Sequence, residues 1–69
     1  MHQAELIQRL KARREQLGVT QEQLAELAGV SLRTIKALDS GKGNPTLSTL
    51  VKLADVLGME LKLEVRKLG

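Results

Sequence analysis

The stretch from Thr20 to Gly41, TQEQLAELAGVSLRTIKALDSG, leaves this chain few ways to fold. Thr20 is of the N-cap type, and Leu24, Leu27 and Ala28 follow it at helical spacing. Gly29 interrupts that run and offers the positive φ that a sharp turn needs. Ser31 caps a second helix, which carries Ile35 and Leu38 inward and stops at Gly41. Ala25 sits mid-face on the first helix, where a larger side chain would hold the pair apart. Val30, Ile35 and Leu38 then fill the angle between them.

Two helices joined in this way form a helix-turn-helix, whose second member can lie in the major groove of DNA. Its outward face here holds Ser31, Leu32, Arg33, Lys36 and Ala37, with Thr34 on the flank. These are short polar, basic and small apolar groups, with no acid before Asp39. A plain capped hairpin in a helical bundle would not require so many positions to agree.

The remaining chain supplies two further helices. Residues 3–17 repeat Leu6, Ile7, Leu10 and Leu17 at helical spacing, with Arg13 or Arg14 on the same flank and Gly18 as the stop. The paired helices occupy 20–28 and 31–40. GKGNP follows as a short loop, either a simple connection or a place where backbone amides and Lys42 meet a phosphate. Thr46 caps a helix over 46–57, with Leu47, Leu50, Val51, Ala54 and Leu57 expected on one face, Lys52 and Asp55 turned away, and Gly58 ending it.

After Gly58 the period changes. Met59, Leu61, Leu63 and Val65 alternate with Glu60, Lys62, Glu64 and Arg66, which predicts a half-buried strand over 59–66. A lone strand cannot satisfy its backbone donors and acceptors, and nothing else in the chain resembles a strand. The economical partner is the same segment of a second copy, in an antiparallel ribbon across a twofold axis. A frayed tail or an extra helical turn is the alternative. The expected architecture is mainly α: four helices plus a C-terminal β-strand pairing across a dimer.

Composition narrows the function classes. The chain has 69 residues, enough for one domain with a modest core that gains from oligomerisation. Lys and Arg number 11 against 8 Asp and Glu, a balance compatible with a polyanion without demanding one. There is no Cys, so no thiolate metal site or disulfide, and no aromatic residue to stack on single-stranded bases. The sole His is His2, near a terminus, and no acids are spaced as a facing catalytic pair. GKGNP lacks the strand and GK[ST] ending of a P-loop. No metal, cofactor or enzymatic activity is expected. No apolar run approaches the ~18 residues of a membrane span and no signal-peptide pattern opens the chain, so a cytoplasmic location is expected.

The ordered set Arg14, Leu17 to Ala25, Gly29, Val30, Ser31, Ile35, Asp39, Gly41 and NPTLSTLVKLADVLG resembles the lambda-repressor and Cro type of helix-turn-helix, the Xre family. The resemblance spans roughly residues 6 to 58. It implies that Arg14 pairs with Asp39, pinning the first helix to the paired helices, and that the loop carrying Lys42 contacts phosphate. The C-terminal strand is similar to that of the small HipB-like antitoxins, which implies a homodimer and a toxin as a further partner.

On this reading the dimer binds a near-palindromic site in double-stranded DNA with half-sites about 34 Å apart. Thr20, Gln21, Lys42, Gly43 and Asn44 are expected at phosphates. Ser31, Leu32, Arg33, Thr34, Lys36 and Ala37 are expected at bases. Arg33 leads because it can reach guanine O6 and N7 together. Leu32 faces a thymine methyl or only solvent, and Lys36 reaches guanine or phosphate. Met59, Leu61, Leu63 and Val65 are the expected dimer contacts. The expected function is an autoregulating repressor, with a protein-interaction module (toxin-neutralising, or an activator or control protein) as the alternative. A pure interaction module would tolerate acids at Arg33 and Lys36.

Overall fold

A computed structural model describes residues 3–65 and contains four helices: α1 (Gln3–Gln16), α2 (Gln21–Ala28), α3 (Leu32–Asp39) and α4 (Leu47–Val56). Each of the last three begins at a hydroxyl cap, from Thr20, Ser31 and Thr46, that accepts the backbone N–H three residues on. At α2 the cap is reciprocal. Thr20 Oγ1 accepts from Gln23 N at 3.0 Å, and Gln23 Oε1 accepts from Thr20 N at 2.9 Å. Such a box satisfies two otherwise orphaned backbone donors.

The helix ends are alike as well. At α2, Val30 N donates to Ala25 O at 3.0 Å and Gly29 N to Glu26 O at 3.3 Å, a Schellman closure. It requires a left-handed residue, and Gly29 has φ 69°. The same pair of bonds recurs at Gly18, Gly41 and Gly58, so glycine spacing sets all four helix ends.

The core is aliphatic throughout. Ile7 and Leu10 come from α1, Leu24 and Ala25 from α2, Ile35 and Leu38 from α3, and Leu50, Leu53, Ala54 and Leu57 from α4 and its end. α2 packs on α3 and α4, while α1 packs on α3. Ile35, at 1 % exposure, sits where these helices meet. Ala25, 6 % exposed, is the small residue on the face that α2 turns inward.

Several expected core positions lie outside. Leu17, just past the end of α1, and Leu27, Leu47 and Val51 are exposed, while Leu53 is buried and was not among the expected residues. The helix over 46–57 has apolar side chains around much of its circumference. Its inward stripe is 50, 53, 54 and 57; of the expected 47, 50, 51, 54 and 57, residues 50, 54 and 57 are buried, while 47 and 51 are exposed. Both stripes satisfy helical spacing, and the approach of α2 selects between them.

Residues 59–65 form neither a helix nor a strand ladder in the single chain, and Arg66 lies outside the described residues. Met59 and Leu61 pack against the core, but Leu63 and Val65 stand fully exposed. The expected apolar face of this segment therefore lies on the helices only as far as Leu61. No described helix is long and apolar enough to cross a membrane.

Candidate nucleic-acid interface

The candidate surface is the exposed side of α3 with the start of α2 and the loop after α3. Ser31 fixes the start of α3: its Oγ accepts Thr34 N at 3.1 Å and lies 2.9 Å from Thr34 Oγ1. Ile35 and Leu38 bury the opposite side, so the helix cannot rotate about its axis without exposing them. That anchoring leaves Ser31, Arg33 and Lys36 exposed. Neither Arg33 nor Lys36 makes an ion pair or side-chain hydrogen bond to a described residue. Thr34 and Ala37 are half-buried on the flanks. Leu32, expected outward, is half-buried and packs against the core.

Beneath α3 lies a polar cluster built by three helices. Arg14 of α1 places Nη2 3.1 Å from Asp39 Oδ2 and Nη1 2.8 Å from Val19 O. The two side chains are only 12 % and 15 % exposed. Gln21 of α2 donates from Nε2 to the same Asp39 oxygen at 2.9 Å. One carboxylate oxygen thus joins α1, the start of α2 and the end of α3. Arg14 Nε is buried with no hydrogen-bond partner among the described residues. Breaking such a pair costs more than forming it gains, which makes its contribution one of register more than of net stability.

The Gln21 bond alters its expected part. Its side chain was expected to bond a phosphate; one amide N–H is committed to Asp39 and the residue is half-buried. What remains is the second N–H, in an orientation held by the carboxylate. Thr20 stays exposed, with its oxygen accepting the cap bond and its hydroxyl hydrogen free to donate outward.

The loop differs from expectation in the same way. Lys42 N and Gly43 N both donate to Ala37 O, at 2.9 and 3.1 Å, so the Gly43 amide points into the end of α3 and not outward. A Cβ at Gly43 would come within 2.9 Å of Leu38 Cδ2 and 3.3 Å of Leu38 N. A side chain at Gly43 would therefore be tight against Leu38 and would require its side chain to move. The Lys42 side chain is exposed, and Asn44 Oδ1 accepts from Gln3 Nε2 at 3.3 Å.

Two contacts escaped the sequence reading altogether. Arg13 Nε donates to Leu57 O at 3.0 Å, tying α1 to the end of α4. The Gln21–Asp39 bond joins residues 18 apart. An Arg at the end of one helix and an amide at the start of the next carry no periodic signal, since only the tertiary crossing brings their partners near. Among the described residues no group of acids, His or Cys is arranged to hold a metal ion.

Comparison with known proteins bears on this surface. Residues 10–63 match the family model described as helix-turn-helix. The chain is 41 % identical over 54 residues to the cryptic phage CTXphi transcriptional repressor RstR of Vibrio cholerae, covering 78 % of this chain and 48 % of that protein. An HTH-type transcriptional regulator of Methanothermobacter thermautotrophicus is 43 % identical over 51 residues, 74 % of each chain. One from Haemophilus influenzae is 43 % identical over 58 residues, 84 % of this chain and 59 % of its own length. The chain thus spans between about half and three-quarters of these relatives.

Proposed function

The chain belongs to the lambda-repressor-like (Xre) family of helix-turn-helix transcriptional regulators, and on that premise we propose that it is a dimeric, sequence-specific repressor of its own promoter. The observation that carries the reading is the outward face of α3, where Arg33 and Lys36 stand exposed with no ion-pair or side-chain hydrogen-bond partner among the described residues, on a helix locked by Ser31, Ile35 and Leu38. A dimer would present two such faces to successive major grooves of a near-palindromic site. Binding there excludes polymerase by occupancy, which needs no further surface. DNA as partner would make the cytoplasm its working compartment.

The roles divide by reach. Arg33 is the leading base reader, with Ser31, Thr34 and Lys36 around it, and Leu32 and Ala37 offer apolar edges at the rim of the core. Thr20, the remaining Gln21 N–H, the Lys42 ammonium and the Asn44 side chain would contact phosphates and set register. Gly43 shapes the loop that presents them.

The test is a titration of DNA from upstream of the gene, at two salt concentrations, against scrambled competitor. Selective binding with steep salt dependence is expected. Arg33→Ala should weaken the specific site by about 1–3 kcal/mol and leave scrambled DNA nearly unaffected. Equal loss on both would make Arg33 a phosphate contact and remove the basis for base reading.

A second reading, an antitoxin that also holds a toxin, is favoured by exposed Leu27 and Leu47, which lie on helices other than α3 and suit a protein partner. Co-purification with the product of the adjoining gene, abolished by Leu47→Asp, would support it.

A further inference from the structure

The segment after Gly58 carries enough pattern to determine how two copies of it meet. We propose that the chain dimerises through an antiparallel ribbon whose twofold axis passes through Leu63. This rests on the dimeric reading above and adds the register. Leu63 and Val65 are 104 % and 99 % exposed, although Met59 and Leu61 on the same side pack against the core. Residues 59–64 form one wall of an open groove of about 530 Å³, and Leu6 and Leu10 of α1 lie across it. Lys62 Nζ lies 3.7 Å from Glu60 Oε2, so these two charged side chains lie on one side of the segment.

In an antiparallel pair about a twofold axis, opposed residue numbers sum to twice the axis position. A half-step register sets Leu63 against Lys62 of the second copy and mixes the two faces, so the axis must pass through a residue. At Lys62 it opposes Lys62 to itself and Glu60 to Glu64, and at Glu64 it opposes Glu64 to itself. Like charges directly opposite are unfavourable. At Leu61, Glu60 meets Lys62, but Val65 falls against Leu57, which caps α4 and is 1 % exposed.

Only the Leu63 axis agrees on both faces. It sets Leu63 against itself and Leu61 against Val65, while Lys62 meets Glu64, the last two pairs each occurring twice by symmetry. The second copy's Val65 then lies beside Leu61 at the groove, and Leu63 gains the apolar neighbour it lacks in the single chain.

Cysteine pairing tests the register, since the chain has no Cys of its own. Leu63→Cys should oxidise to a covalent dimer in high yield. Leu61→Cys should not, because its two copies would stand about 13 Å apart along the ribbon, beyond disulfide reach. Sedimentation of reduced protein provides the second measurement. Lys62→Glu should weaken dimerisation by about threefold to tenfold. Adding Glu64→Lys should restore it, whereas adding Glu60→Lys should not. Covalent pairing at Leu61→Cys, or rescue by Glu60→Lys, would overturn the register while leaving the dimer intact. A wild-type chain that sediments as a monomer at every concentration would overturn the dimeric reading itself. DNA binding is not involved in either measurement.

Discussion

The α2–α3 unit and the segment after Gly58 hold similar densities of aliphatic residues and reach opposite ends. In the first, Leu24, Ala25, Ile35 and Leu38 are all under 10 % exposed, both helices carry hydroxyl caps, and Asp39 ties their ends to α1. In the second, burial stops at Leu61 and no described backbone group pairs in a ladder. Helical periodicity can be completed within one chain because its hydrogen bonds are local. A period of two needs a neighbour, and the described residues offer none. On the proposed reading, the rigid unit holds the geometry for recognition and the segment after Gly58 receives the partner.

The contrast breaks most visibly in the core. Ile35→Ala would open a cavity where α3 meets its neighbours and should cost about 2–5 kcal/mol in urea unfolding. For a domain of this size that is a large part of its total stability. An unfolding midpoint close to wild type would mean that α3 is not held from beneath, and the argument from its exposed face would fail with it.

The polar cluster gives the next effect. Asp39→Ala leaves the Arg14 guanidinium nearly buried without its carboxylate and releases the Gln21 amide. We expect a loss of about 3 kcal/mol, the low end for breaking a buried pair, since both groups keep some solvent. Thr20→Ala removes only a cap and should cost about 1 kcal/mol. Were Asp39→Ala no worse than Thr20→Ala, the shared oxygen would be a surface contact and not the junction of three helices.

This ordering explains what was legible in sequence. Thr20, Gln23 and Gly29 act within a few residues of themselves, so their roles follow from identity and spacing. The pairing of Arg14 with Asp39 could be expected only through family resemblance. Gln21 gave no sign that the same oxygen would bind it, because that bond depends on where α3 ends relative to α2. In α4, Val51 and Leu53 are equally apolar, and the choice between them is made by a neighbouring helix. On α3, the exposure of Arg33 and Lys36 was legible because their positions fall outside its inward stripe. The direction of the Gly43 amide was not, being fixed by the close pass of its loop over Leu38.

The smallest effect lies inside the tail and sharpens the comparison most. Leu61 and Leu63 are the same residue two positions apart on the same alternating face, yet only Leu61 packs against the core. At concentrations low enough to keep the chain monomeric, Leu63→Ser should change unfolding stability by less than about 0.5 kcal/mol, as for any substitution that touches nothing. Leu61→Ser should cost about 1 kcal/mol, through partial loss of its apolar contact. At high concentration the two should converge, because in a ribbon centred on Leu63 both side chains are covered. Stability that depends on concentration for wild type and not for Leu63→Ser would locate the missing partner of the tail in a second copy. If Leu63→Ser were as costly as Leu61→Ser in the monomer, the tail would be completed by its own helices, and the difference between the two regions would disappear.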